Sequence, residues 1–162
     1  MRPSISLLAA CAALVCAPGL AQVLETRFSC STVRTEDGEK LIYSDIGNAR
    51  LRGDRIESFS WESALYRSTH GFDCSIDDGD GLVAEVREEA PRTTWRVALK
   101  NPLEARARRG YDYAHGINCS IRLVREGDRL EVKPSCPAMC GSRPNFTSLS
   151  VNISTGECRY EE

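Results

Sequence analysis

Past its first twenty or so residues the chain runs in short stretches of alternating apolar and polar positions, each closed by Gly, Asp or Asn. A period of two puts successive side chains on opposite faces of a strand, so this rhythm predicts an all-β domain, mainly antiparallel, built as a small barrel or sandwich. Phe28 and Cys30 open the first strand, and Glu36-Asp37-Gly38-Glu39 is a turn into Leu41 to Tyr43, which together predict a hairpin. Gly53-Asp54 turns the chain into Phe59-x-Trp61-x-Ser63-x-Leu65. Asp77-Asp78-Gly79-Asp80-Gly81 precedes a strand from Leu82 to Val86. Thr93-x-Trp95-x-Val97-x-Leu99 then places Arg96 and Lys100 on the face opposite the apolar residues. Trp61 and Trp95 lie inside these alternating runs and are expected in the core.

One helix breaks the pattern. Asn101-Pro102-Leu103-Glu104 supplies an N-cap residue, a proline at the first helical position and a carboxylate at the third, and Gly110 supplies the stop. A short helix is therefore expected near 102–109. Arg106, Arg108 and Arg109 fall near its C-terminus, where cations complement the helix dipole. An anion-binding patch is their alternative use.

Three copies of one phrase recur along the chain: Phe28-Ser29-Cys30-Ser31, Phe72-Asp73-Cys74-Ser75 and Ile117-Asn118-Cys119-Ser120. The last two extend to a common frame, His-Gly-apolar-Asx-Cys-Ser-Ile, beginning at His70 and His115. Their spacing of roughly 45 residues predicts repeated cysteine-bearing strand units. Gly53-Asp54-Arg55-Ile56-Glu57 and Gly127-Asp128-Arg129-Leu130-Glu131 form a second matched pair. Pro134 to Pro144, with three prolines and two cysteines, reads as a cross-linked loop. Alternation resumes from Phe146 to Ile153, and Cys158 marks a final strand. No linker divides the chain, so residues 22–162 are expected to form a single domain.

The N-terminus changes the compartment. Arg2, the apolar stretch Ile5 to Val15 and the small-x-small site Gly19-Leu20-Ala21 form an export signal, predicting cleavage near Ala21 and a periplasmic or secreted product. Lipidation at Cys11, after Leu8-Ala9-Ala10, is an alternative. The apolar stretch is too short to span about 30 Å of hydrocarbon, and no membrane span is expected. Without the leader six cysteines remain, Cys30, Cys74, Cys119, Cys136, Cys140 and Cys158, an even set that reads as a disulfide framework with its pairing open. The lone C-x3-C of Cys136 and Cys140 has no following histidine, so no zinc site is expected.

The formal net charge of -2, or -3 without Arg2, offers no phosphate-neutralising excess and argues against nucleic-acid binding. Arginine outnumbers lysine 18 to 3, which reads as the codon bias of a GC-rich, bacterial genome.

His70 and His115 are the only histidines, and each is a candidate general base or ligand. No G-x-S-x-G or H-E-x-x-H frame accompanies them, and a structural role in the turn entering each cysteine strand is the simpler reading. The Asp73, Asp77, Asp78 and Asp80 cluster lacks the EF-hand order and reads as a solvated turn. Asn118, Asn145 and Asn152 satisfy a glycosylation sequon, which has little meaning for a bacterial chain. Tyr111 and Tyr113, beside Arg108 and Arg109, combine residue types enriched at interface hot spots and are the expected contact surface, with His70 and His115 as further binding candidates. No catalytic residue, metal or cofactor is assigned.

The aromatic-x-Cys opening strand Phe28-Ser29-Cys30, the exported location and the small β architecture resemble those of bacterial periplasmic lysozyme inhibitors. The resemblance covers roughly ten residues of the chain, and that family's Ser-Gly-x-x-Tyr-like loop has no counterpart in a matching place. It implies a non-catalytic periplasmic binding protein whose partner is another envelope or secreted protein, such as an envelope-degrading enzyme. The alternatives are a structural envelope component and a secreted hydrolase using His70 or His115.

Overall fold

The computed structural model describes residues 21–111, 118–137, 139–140 and 145–161; residues 1–20, where the export signal and Cys11 are expected, Tyr113 and His115 lie outside the described residues. Among the described residues ten strands form two antiparallel sheets. The first is a four-stranded meander of β1 (Val23–Glu36), β2 (Glu39–Arg52), β3 (Arg55–Tyr66) and β4 (Gly71–Asp77). The second has the order β10-β9-β8-β7-β6-β5, made from β5 (Leu82–Glu89), β6 (Arg92–Leu99), β7 (Ser120–Glu126), β8 (Arg129–Pro134), β9 (Leu149–Asn152) and β10 (Cys158–Tyr160). A single 3-10 turn, Asp78–Asp80, carries the chain from one sheet to the other. The helix α1 (Pro102–Arg109) follows β6.

Local chemistry explains the meander. Asp37 and Gly38 both have positive φ, 52° and 81°, as a two-residue hairpin turn with the right-handed strand twist requires. Glu36 and Glu39 pair directly across it, and the register then runs unbroken to Val23 and Arg52. The matched Gly-Asp phrases are also two-residue turns, joining β2 to β3 and β7 to β8. In β3 a bulge interrupts pairing beside Arg50 and Leu51. There Glu57 accepts ion pairs from Arg50 at 3.0 Å and Arg52 at 3.2 Å.

Each period-two run buries one phase. Phe59, Trp61, Ser63 and Leu65 all point inward, as do Trp95 and Val97. One core joins both sheets, with Phe28 and Trp61 from the first meeting Trp95, Ile121 and Leu123 from the second. Phe146 packs edge-on against Trp61 at a centroid distance of 4.7 Å. A large apolar side chain buried to this degree stabilises the fold by about 1.5–3 kcal/mol. The expected mainly antiparallel β architecture with one short helix is what forms.

The six cysteines pair as Cys30–Cys158, Cys74–Cys140 and Cys119–Cys136, with Cα separations of 5.2, 6.0 and 5.7 Å. Those spans suit a disulfide. The first fastens β10 to β1, and the other two fasten the Pro-rich loop after β8 to β4 and to the approach of β7. Three such bonds fit maturation in an oxidising, extracytoplasmic environment. Among the described residues no helix is long and apolar enough to cross a membrane.

Candidate functional site

The helix was expected to place three arginines near its C-terminus, and it does; what they bind is decided by its neighbours. Gly110 stops the helix in the left-handed region, at φ 71°, while Asn101 makes no side-chain cap and instead donates to Glu104 at 3.4 Å. Arg106 is buried and donates to the Met139 carbonyl of the Pro-rich loop. Arg108 donates to the Gly79 carbonyl at 3.0 Å.

Arg109 is committed further. Its guanidinium grips Asp80 through Nε and Nη2, both at 2.7 Å, reaches Asp77 at 2.7 Å, and donates to Ser75 Oγ at 2.8 Å. The hydrogen bond to Asp80 is the main cause raising the Arg109 pKa above its ordinary value. Asp80 also accepts from the Asp77 N–H, and Asp77 accepts from the Gly79 N–H, closing a capping box around the 3-10 turn. Asp77 and Asp80 are therefore an ion-paired staple with Asp80 buried, where the sequence pattern predicted a solvated turn. The tertiary fold, by bringing Arg109 from 29 residues away, supplied the counter-ion.

Tyr111 lies half-buried behind this staple, its hydroxyl accepting weakly from the Ser75 N–H at 3.5 Å. The space between Tyr111, Arg109, Asp80 and Met139 measures only about 10 Å³, too little to admit a ligand. Tyr111 and Arg109 thus face the interior more than a partner, while Arg108 is exposed. His70 is exposed at the turn entering β4, stacked on Phe72 and within 2.8 Å of Thr69 Oγ1 through Nδ1. Tyr113 and His115 fall outside the described residues.

A second cluster lies inside the sandwich. Asp45 occupies the inward phase of β2, between Leu41 and Ala49, and is fully buried. Its Oδ1 accepts from the Trp61 indole at 2.7 Å and its Oδ2 from the Tyr160 hydroxyl at 2.8 Å. Ser63 can serve Asp45 or the Asn145 carbonyl, at 3.1 Å, with its single proton. Burial raises the Asp45 pKa despite these donors, and burial together with the Asp45 charge raises that of Tyr160. The sequence signal for this site was a lone acidic residue in the apolar phase of a strand. Nearby, the buried Asn145 amide donates to the Ser63 and Phe72 carbonyls at 2.9 and 3.2 Å, so that sequon faces away from solvent.

The two outer faces differ. On the first sheet Val33, Ile42 and Tyr66 stand directly opposite one another across β1, β2 and β3, with Ile46 nearby; Val33 and Ile46 are 60% and 56% exposed. Serines 29, 31 and 44 share this face, and Glu62, directly opposite Ile46, and Lys40, two residues before Ile42, border the apolar row. The outer face of the second sheet carries cations and carboxylates in rows.

Among the described residues no group of three or more His, Cys, Asp or Glu is placed to hold a metal ion. The carboxylate with the raised pKa, Asp45, is sealed from solvent and holds strands together. Fold and bonding define a disulfide-linked, two-sheet antiparallel β protein. Compared with known proteins, the chain matches no family model, no curated protein and no solved structure.

Proposed function

We propose that the protein is an exported, non-catalytic binding protein whose partner is another envelope or secreted protein, and that it acts as an inhibitor of an envelope-degrading enzyme of the lysozyme type. The observation that carries this reading is the row of Val33, Ile42 and Tyr66 with Ile46, apolar side chains gathered on the outside of a sheet that two disulfides help to hold. A rigid surface of this kind pays little ordering cost on association. Tyrosine is enriched among hot-spot residues, and Tyr66, 48% exposed, offers its ring where Tyr111 is half-buried. Arg108, His70, Tyr113 and His115 remain further binding candidates.

The test uses the oxidised protein from Gln22 onward, titrated into a lysozyme acting on a suspension of bacterial cell walls. The expected result is stoichiometric loss of activity, a 1:1 complex on gel filtration, and at least about tenfold weaker inhibition by Tyr66→Ala or Ile42→Asp. Turnover of the wall polymer by the protein itself, abolished by His70→Ala, would replace this reading with a hydrolase. Failure to bind or inhibit any of a panel of lysozymes and wall amidases would leave the structural envelope role as the better account.

A further inference from the structure

Most cations on the outer face of the six-stranded sheet are matched to carboxylates. Arg92 pairs with Glu126 at 2.8 Å, Lys133 with Glu131 at 2.6 Å, and Arg129 with Glu131 and Glu161 at 3.1 and 3.3 Å. Arg87, Arg96 and Arg122 form no such pair among the described residues, and Arg96 and Arg122 are set apart by their placement. They stand directly opposite each other across β6 and β7, and Arg122 in turn faces Lys133 on β8. Both are exposed, and neither side chain makes an ion pair or hydrogen bond with the described residues. Glu85 faces Arg96 from β5 yet forms no ion pair with it.

Directly opposed residues of antiparallel strands have Cβ atoms about 4.5–5.5 Å apart, and like charges so placed destabilise the pairing. The outward position asks only for a polar side chain, so the fold gains nothing from a second guanidinium there. Two adjacent guanidinium forks do match the geometry of an oxyanion, which accepts their N–H groups in pairs and cancels the repulsion. Both arginines line a shallow cleft of about 610 Å³, with Thr94 and Val124 between the rows of charge.

We propose that Arg96 and Arg122 form a binding site for a compact oxyanion, a carboxylate or phosphate group. Lys133 lies two strand spacings from Arg96, roughly 10 Å, and can meet a second anionic group of the same ligand. Glu85, Glu89 and Glu131 alternate with Arg87 and Arg92 around the cleft, so a long anionic polymer laid across it finds no continuous run of cations. The site therefore favours one or two closely spaced anionic groups over a long polyanion. It stands independently of the inhibitor reading.

The experiment is thermal unfolding of the disulfide-bonded protein at low ionic strength. Sodium phosphate and sodium succinate are each compared with sodium chloride at equal ionic strength, for the natural protein and for Arg96→Gln/Arg122→Gln. The natural protein should gain about 2 °C or more in Tm with at least one of the two anions, and the double variant should show no gain beyond chloride. Without added anion the variant should be at least as stable as the natural protein, because the opposed charges are gone; this also shows that it folds. A response to phosphate alone assigns a phosphoryl ligand, and a response to succinate alone a paired carboxylate. Equal gains in both proteins, or no gain beyond chloride in either, would overturn the site.

Discussion

The Tyr160 hydroxyl on β10 donates to the buried Asp45 carboxylate on β2 at 2.8 Å. Two residues before Tyr160, Cys158 is bonded to Cys30, which stands opposite Asp45 on β1. The short last strand is thus fastened to the first sheet twice, once covalently and once through a buried polar contact. Tyr160→Phe removes one donor and leaves a fully buried carboxylate oxygen short of a partner, at a cost of about 1–3 kcal/mol. Urea unfolding measures this; an unchanged midpoint would show that the hydroxyl contributes nothing.

Asp45 also sets a pH dependence opposite to that of the surface carboxylates. Burial raises its folded pKa, so the folded protein holds this proton more tightly than the unfolded chain does. Its contribution is greatest below the ordinary aspartate value, about 3.9, and is lost as the pH rises through the raised folded value. Glu39, Glu57 and Glu131 are held below the ordinary range, chiefly by hydrogen bonds from Ser68, Arg52 and Lys133, and lose their contributions as the pH falls. Asp45→Asn removes only the first effect. The variant should therefore gain stability relative to the natural protein as the pH is raised from about 4 toward 7. A flat or falling difference in urea midpoints across that range would refute the assignment.

The Arg109 staple predicts a large and specific loss. Arg109→Ala leaves Asp80, 7% exposed, without its counter-ion, and breaking a buried pair in this way costs about 3–5 kcal/mol, less here because Arg109 itself is partly solvated. Arg109→Lys keeps the charge but loses the two-pronged grip on Asp80, so it should recover only part of the loss. Denaturant midpoints for the two variants test this, and full recovery by lysine would mean that charge alone matters.

The disulfides should rank by the loops they close. Cys30–Cys158 joins residues 128 apart and Cys119–Cys136 residues 17 apart. Chain entropy then predicts about 5 kcal/mol lost for Cys30→Ser/Cys158→Ser and about 3 for Cys119→Ser/Cys136→Ser. Thermal unfolding of the two double variants checks the order, and the reverse order would show that native-state packing outweighs chain entropy.

Gly47 offers a test of packing alone. The Phe28 ring lies across the space that a Cβ at Gly47 needs. Gly47→Ala should force the ring aside and cost about 1–3 kcal/mol, visible as a lower Tm. A variant as stable as the natural protein would show that Phe28 repacks freely.

Much of the fold was written in local pattern. Alternation along Phe59 to Leu65 and Thr93 to Leu99 marks inward phases because strand side chains alternate strictly, and the Asp37-Gly38 turn and the Pro102 to Gly110 helix follow from backbone preferences of a few residues. The even set of six cysteines from Cys30 to Cys158 announced a disulfide framework. Their partners, the burial of Asp45 against Trp61 and Tyr160, the capture of Arg109 by Asp77 and Asp80, and the facing of Arg96 with Arg122 were set elsewhere. Each joins residues distant in the chain, and which of them meet depends on strand order, register and sheet packing. The sequence by itself determined where strands, turns and the helix form, because those choices are made within a few residues. Only the tertiary structure decided which charges are buried, paired or left facing solvent, because that depends on what the fold brings beside them.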